Sequence, residues 1–235
     1  VEGLTWIGLA GMADPPRPGV RELLDRARMA GIRSVMITGD QSATARAVAK
    51  QIGLGDGRIE ILDSTRLQGL EPHVLRTLAS RADVFSRVSP AHKLRIVQAL
   101  RASGAVVAMT GDGVNDGPAL KAADVGIAMG RGGSEVAREV ADVVIEDDEL
   151  RSILEAIEQG RTIYDDIKKA VHFILATNLA EIVLTAVQVG VGRGQTMTPM
   201  QLLFINLLTD IFPELALAVE PPESDVMQRP PRSEE

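Results

Sequence analysis

There is no cysteine among the 235 residues, which excludes disulfides, thiol catalysis and thiolate ligands for soft metals within the sequence. Basic residues are in the minority, 25 Lys and Arg against 32 Asp and Glu. The net charge of −7 argues against a nucleic-acid-binding body, and no nucleic-acid partner is expected. No GxxxxGK[ST] occurs, so there is no P-loop, and the glycines at 53, 55 and 57 follow a helical pattern instead of opening one, which does not support a dinucleotide fingerprint. A DxD triplet is also absent. Val1 to Thr5 lacks the basic head and apolar run of a signal peptide. The missing initial Met fits a piece of a longer chain. Aromatic residues are few, one Trp, one Tyr and four Phe, and leave little to mark a membrane interface.

What is present changes character along the chain. Up to about residue 166 the sequence mixes polar and apolar residues and is rich in charge; from Ala170 two apolar runs dominate, VHFILATNLAEIVLTAVQVGVG and PMQLLFINLLTDIFPELALAV. Each is about 20 residues, the length that crosses a bilayer core. Arg161, Lys168 and Lys169 precede the pair, Arg229 and Arg232 follow it, and the connecting loop carries only Arg193. That charge bias predicts a hairpin with both ends in the cytoplasm. A pair of buried helices in a soluble protein is the alternative.

The first 150 residues alternate helical and strand patterns. VRELLDRARMA runs to Gly31, and IRSVMI follows as an apolar strand; ATARAVAKQI ends at Gly53. ADVFSRV leads into SPAHKLRIVQALRAS, where Ser89 is placed to cap a helix and Pro90 suits its first position. Gly104 closes that helix, AVVAM is the next strand, and PALKAA, VGIAM, SEVAREVA and DVVI continue the alternation. This is the pattern of an α/β parallel sheet covered on both faces, with ligands beyond the carboxyl ends of its strands.

Two of those strands end in the same tripeptide, Thr38-Gly39-Asp40 and Thr110-Gly111-Asp112, the second within MTGDGVNDGP at 109–118. Tight turns use Gly, Asp and Asn for conformational reasons alone. The same residues also offer a hydroxyl and glycine-freed N–H groups to phosphate oxygens and a carboxylate to a hard cation. Lys93, in the first turn after Ser89-Pro90, can set a point charge against a phosphate.

Polar residues within the apolar runs need a reason, since a charge at the centre of a span costs about 2.5–3.5 kcal/mol on insertion scales. Asn178, Glu181, Thr185 and Gln188 share one helical face, and so do Asn206, Thr209, Asp210 and Glu214. Pro213 should leave the Thr209 carbonyl free. Together they supply carboxylate, amide, hydroxyl and carbonyl oxygens for a hard cation, with polar bonding between helices as the plainer reading.

DPPR at 14–17, MITGD at 36–40, SRVSPAHK at 86–93, MTGDGVNDGPALKAADVGIAMG at 109–130 and NLLTD at 206–210 together resemble the C-terminal part of P-type ATPases of the calcium-pump-like group. The resemblance covers essentially the whole chain. It implies a haloacid-dehalogenase-like (Rossmann-like) phosphorylation domain over 1–150, a connecting helix over 151–169, two transmembrane helices over 170–220 and a cytoplasmic tail over 221–235. By the same resemblance Asp112 is the Mg²⁺ ligand, with Asn115 and Asp116 arranging its pocket. Thr38 and Gly39 are phosphate contacts, Asp40 helps assemble their loop, and Lys93 neutralises the transferred phosphoryl group. Arg17 touches ATP or braces the structure. Asn178, Glu181, Asn206, Thr209 and Asp210 match positions that bind the transported cation, Ca²⁺ or another hard cation, and the role of Glu214 is open. Gly117 stands where the family often has Ala.

The resemblance further implies an integral protein of the plasma membrane with its phosphorylation domain in the cytoplasm. Its partner would be an N-terminal half bearing the phosphorylated aspartate of a DKTGT motif, which this sequence lacks along with the nucleotide domain. This chain alone should not form the phosphoenzyme. Two alternatives are a tethered phosphohydrolase of the same fold, which the missing DxD disfavours, and a non-catalytic membrane remnant or regulator.

Overall fold

The computed structural model describes residues 15–55, 57–67, 69–191 and 198–232, with 3, 5, 7, 8 and 11 before them. Asp14 of the DPPR motif and Arg193 of the loop between the apolar runs lie outside the described residues. The chain divides into two compact units, Val1–Arg28 with Ile32–Leu150, and Met29–Gly31 with Arg151–Glu235.

In the first unit the elements follow as α1 (Val20–Met29), β1 (Met36–Ile37), α2 (Ser42–Gln51), β2 (Ile61–Asp63), α3 (Pro72–Ala79), β3 (Val84–Ser86), α4 (Pro90–Ala102), β4 (Ala108–Gly111), α5 (Gly117–Ala122), β5 (Val125–Met129), α6 (Glu135–Val140) and β6 (Val143–Ile145). Single-turn 3₁₀ segments at Ser64–Leu67 and Val114–Asp116 follow β2 and β4. The predicted start of α4 is as drawn from the sequence. The Ser89 hydroxyl accepts from the His92 N–H at 3.4 Å, Pro90 opens the helix, and Gly104 at φ 86° lies just beyond its end.

All strand pairs are parallel, as the alternation predicts, but they form two sheets of three, ordered β1-β3-β2 and β4-β5-β6. Ile37 sits opposite Phe85, and Thr110 opposite Ile127. The strands expected over 32–37 and 105–109 pair only at Met36–Ile37 and from Ala108 on. The reason is that β1 and β4 are edges: each is held on one side alone among the described residues. The stretch 61–79, which carries β2 and α3, gives no clear periodicity over its three paired strand residues and went unpredicted.

One core packs Phe85, Leu67, Leu75, Ile96 and Leu100; a second packs Val97, Met109, Leu120 and Ala128. Burying a side chain such as Phe85 or Leu120 contributes roughly 1.5–3 kcal/mol. Ile37, at the end of β1, and Val107, just before β4, pack against both cores. The two sheets therefore share their flanking apolar layer.

Glu146, Asp147, Asp148 and Glu149 form an acidic run after β6. Asp148, at φ 58°, accepts from the backbone N–H of Arg131 at 3.0 Å and of Gly132 at 2.6 Å, and so pins the loop after β5. Helix start falls later, at Arg151.

The second unit is built on α7 (Arg151–Gly190) and α8 (Pro199–Leu217), both long and apolar enough to cross a membrane. At 1.5 Å per residue, the 40 residues of α7 extend about 60 Å, so only its latter half matches the apolar run. Leu179, Ile182, Phe204 and Phe212 are exposed on the outer faces. The proline-rich tail is fastened to α7. The Arg161 guanidinium donates to the carbonyls of Val226, Arg229 and Ala30 at 2.8–2.9 Å. Arg229 pairs with Asp165, Glu223 and Asp225, Lys169 with Glu220 and Glu223, and Arg232 lies 3.4 Å over the Tyr164 ring. The Glu220 carboxylate beside Lys169 and the Asp225 carboxylate beside Arg229 hold both cations above their ordinary pKa. Each exposed pair contributes little alone, so the buried Val226 and the carbonyl contacts of Arg161 define the tail's seat.

Candidate functional site

The two TGD loops meet the N-terminal end of α4 from different elements. In the first, the Thr38 hydroxyl donates to Asp40 Oδ2 at 2.9 Å and accepts from the Asp40 N–H at 3.1 Å. The Thr38 carbonyl accepts from Val88 N–H at 3.0 Å, and the Asp40 carbonyl from Arg87 N–H at 2.8 Å. Arg87 reaches that bond at φ 55°, a conformation that costs a non-glycine residue about 1–3 kcal/mol unless its surroundings hold it. They do. Ser64 donates its hydroxyl to the Arg87 carbonyl, and the Asp63 carboxylate lies 3.6 Å from Arg87 Nε.

Asp63 also accepts from Ser42 Oγ at 2.9 Å, and Ser42 lies 2.8 Å from the fully buried Ser86. The backbone N–H of Thr65 on Asp63 keeps its carboxyl below the ordinary carboxylate pKa. Ser42, Asp63, Ser86 and Arg87 thus brace the loop from the ends of β2 and β3. Sequence reading missed all four as support. Arg87 stood within the quoted SRVSPAHK, but nothing local signals the partners of Asp63.

The second loop is organised by Asp116. Its side chain is 8% exposed; Oδ1 lies 2.5 Å from Lys93 Nζ and Oδ2 accepts from the Gly113 N–H at 3.3 Å. Lys93, five residues beyond the Val88 that holds Thr38, links this loop to the first through one helix start. Asp112 is exposed at the rim, and its side chain has no partner among the described residues; its carbonyl accepts from Ser134 N–H at 2.7 Å. Asn115 is also exposed. Arg17 stands elsewhere in this unit's bonding, donating to the Asp148 carbonyl at 3.2 Å, which is a bracing contact.

Close packing explains the glycine at 111. A Cβ there would lie 2.6 Å from Cβ of Asp116 and 3.0 Å from its Cγ. Gly111→Ala is therefore expected to push Asp116 off Lys93 and to lower stability by about 1–3 kcal/mol, the usual cost of overpacking. Thermal unfolding would register the loss; an unchanged midpoint would refute the contact.

In the second unit, the Asn206 amide, oriented to donate, lies 2.5 and 3.0 Å from the two carboxylate oxygens of Glu181. That contact brings one residue of each polar stripe together across α7 and α8. The Thr209 hydroxyl donates to the Ile205 carbonyl at 2.9 Å and lies 3.3 Å from Asp210 Oδ1. Asn178 and Asp210 are half-buried. Among the described residues no three Asp, Glu, His or Cys side chains form a group, so a cation here would rely on amide, hydroxyl and carbonyl oxygens around few carboxylates.

Residues 3–124 match the family model of haloacid dehalogenase-like hydrolases, and 92–157 match a second model of the same description. Residues 194–235 match the model of the cation transporting ATPase C-terminus. The chain is 47% identical over 231 residues to Calcium-transporting ATPase 1 of Bacillus cereus, covering 98% of this chain and 26% of that protein. Calcium-transporting ATPase type 2C member 2 of Rattus norvegicus is 41% identical over 98% of this chain and 24% of its own length. A P-type sodium-transporting ATPase4 of Toxoplasma gondii is 44% identical over 98% of this chain and 18% of its own length. The chain thus spans about a quarter or less of these relatives.

Proposed function

Because the chain belongs to the haloacid dehalogenase-like hydrolases, we propose that it is the distal part of an ATP-driven cation pump, in which an aspartyl phosphate forms and is hydrolysed while a cation crosses a membrane. The observation that carries this reading is the Lys93–Asp116 pair set beside two strand ends of identical sequence. Phosphoryl transfer needs little covalent chemistry from a protein beyond positioning and neutralising charge.

In this reading the reacting aspartate comes from the preceding part of the pump. Its carboxylate oxygen attacks the γ-phosphorus of ATP, the bond to the ADP oxygen breaks, and water later cleaves the acyl phosphate. The Gly39 N–H and the Thr38 hydroxyl, its proton turned from Asp40, bind phosphoryl oxygens, with the Asp40 backbone holding the loop. Lys93 balances their negative charge while Asp116 fixes its ammonium. The free, exposed oxygens of Asp112 suit a hard cation, and Asn115 and Asp116 order the loop around it. Mg²⁺ held there would neutralise charge on the phosphoryl group. Arg17 acts through the loop that Asp148 pins.

The apolar runs of α7 and α8 lie in the bilayer, in the plasma membrane, with the first unit in the cytoplasm. Asn178, Glu181, Asn206, Thr209 and Asp210 hold the transported cation. Relatives named for calcium and for sodium leave its identity between hard cations, with Ca²⁺ the better supported. In the full-length protein, Ca²⁺ should stimulate ATP hydrolysis, and Glu181→Gln should raise the half-saturating concentration about tenfold, the equivalent of some 1.4 kcal/mol. Hydrolysis indifferent to every cation tried, or unmoved by Glu181→Gln and Asp210→Asn, would overturn the assignment.

A further inference from the structure

Within the two apolar runs, Glu214 is the charged residue that the site above does not use. It is half-buried on α8, one turn beyond Asp210 and on the same face as Asn206. No hydrogen bond or ion pair reaches its side chain among the described residues, whereas Glu181 has Asn206 and Asp210 has Thr209 nearby.

Two contacts fix what lies across from it. Asn206 faces Glu181, and Glu220 faces Lys169 at 2.8 Å, so the chain from Asn206 to Glu220 runs antiparallel to α7 from Glu181 back to Lys169. Interpolating between them places Glu214 near the turn Phe173-Ile174-Leu175, which carries no charge, with His172 just before it. It also lies six residues before Glu220 of the Lys169–Glu220 pair. Helix stability does not account for it, because a carboxylate in the last turn opposes the helix dipole by about 0.3–1 kcal/mol. An acidic side chain in an apolar span calls for a cationic partner.

One lies within reach of the chemistry already assigned. Pro213 has no N–H for the Thr209 carbonyl, so that oxygen, beside Asp210, lacks its usual donor four residues on. We propose that Glu214 is a further ligand of the transported cation, forming with Asp210 and the Thr209 carbonyl a binding position one turn nearer the C-terminal end of α8 than the Glu181–Asn206 pair. This rests on the pump reading.

The test uses the full-length pump in proteoliposomes, with whichever of Ca²⁺, Mn²⁺ and Na⁺ stimulates ATP hydrolysis by the unmodified protein. Glu214→Ala should raise the half-saturating concentration of that cation about tenfold, and Glu214→Asp should recover part of the loss. MgATP binding, unchanged in both variants, verifies folding; if Glu214→Ala fails that check, Glu214→Gln replaces it. A half-saturating concentration within about twofold of the unmodified pump would overturn the proposal and leave Glu214 as a glutamate at the membrane boundary. An unmodified pump that no cation stimulates would instead sink the pump reading itself.

Discussion

On the proposed function, Asp112→Ala in the full-length protein is expected to lower ATP hydrolysis about 10³-fold while leaving stability nearly untouched. The Asp112 carboxylate is exposed and bonded to nothing among the described residues, so its removal orphans no buried group, and a change within about 0.5 kcal/mol is the norm for such a site. The expected catalytic loss has a different origin. Phosphoryl transfer depends on neutralising charge on oxygens in flight, and a hard-cation ligand contributes several kcal/mol to it, with each 1.36 kcal/mol a factor of ten. Measuring hydrolysis alongside thermal unfolding separates the two. If the variant hydrolyses ATP within about tenfold of the parent, Asp112 is a turn residue and no more.

Lys93→Ala should do both kinds of damage. Asp116 is 8% exposed and would lose its countercharge at 2.5 Å. Breaking a buried pair costs about 3–5 kcal/mol; with Lys93 itself 22% exposed, the expected loss is smaller, about 1–3 kcal/mol. Activity should fall by about 10²–10³-fold, the range seen when one preorganised charge-stabilising donor is removed. Lys93→Arg discriminates between the two effects. A guanidinium can still pair with Asp116 and restore most of the stability, but its flat, wide fork does not replace a compact ammonium at a phosphoryl oxygen. Hydrolysis should therefore remain low in Lys93→Arg. If instead hydrolysis recovers in step with unfolding temperature, Lys93 serves the fold alone.

These predictions lean on residues that stand out in the sequence alone. Thr38 to Asp40 and Thr110 to Asp112 stand out because a strand end shows in sequence, as an apolar run meeting glycine and polar turn residues. Ser89 and Pro90 announce the start of α4 in the same local way, and that start places Lys93. The facing stripes on α7 and α8 were also readable, since helical spacing fixes which residues share a face; the Glu181–Asn206 contact is consistent with both stripes turning inward.

Other parts of the site had no such signal. The hydrogen bonds that gather Ser42, Asp63, Ser86 and Arg87 behind the first loop join residues up to 44 positions apart. Asp148 looked like one more charge in an acidic run, yet its carboxylate is spent on two backbone N–H groups 16 and 17 residues earlier. The sequence marks 221–235 only as a tail, and Arg161 seats it through the carbonyls of Val226 and Arg229, 65 and 68 residues further along.

The sequence by itself determined the alternation of strands and helices, the two spans, and the chemistry offered at each strand end, because backbone periodicity and capping act over a few residues. Only the tertiary structure decided that the strands form two parallel sheets with β1 and β4 at edges, that Lys93 is held by Asp116, and that Asn206 meets Glu181. Those outcomes depend on which distant groups pack side by side, and hydrogen bonds and ion pairs act over a few ångströms of space whatever the distance along the chain.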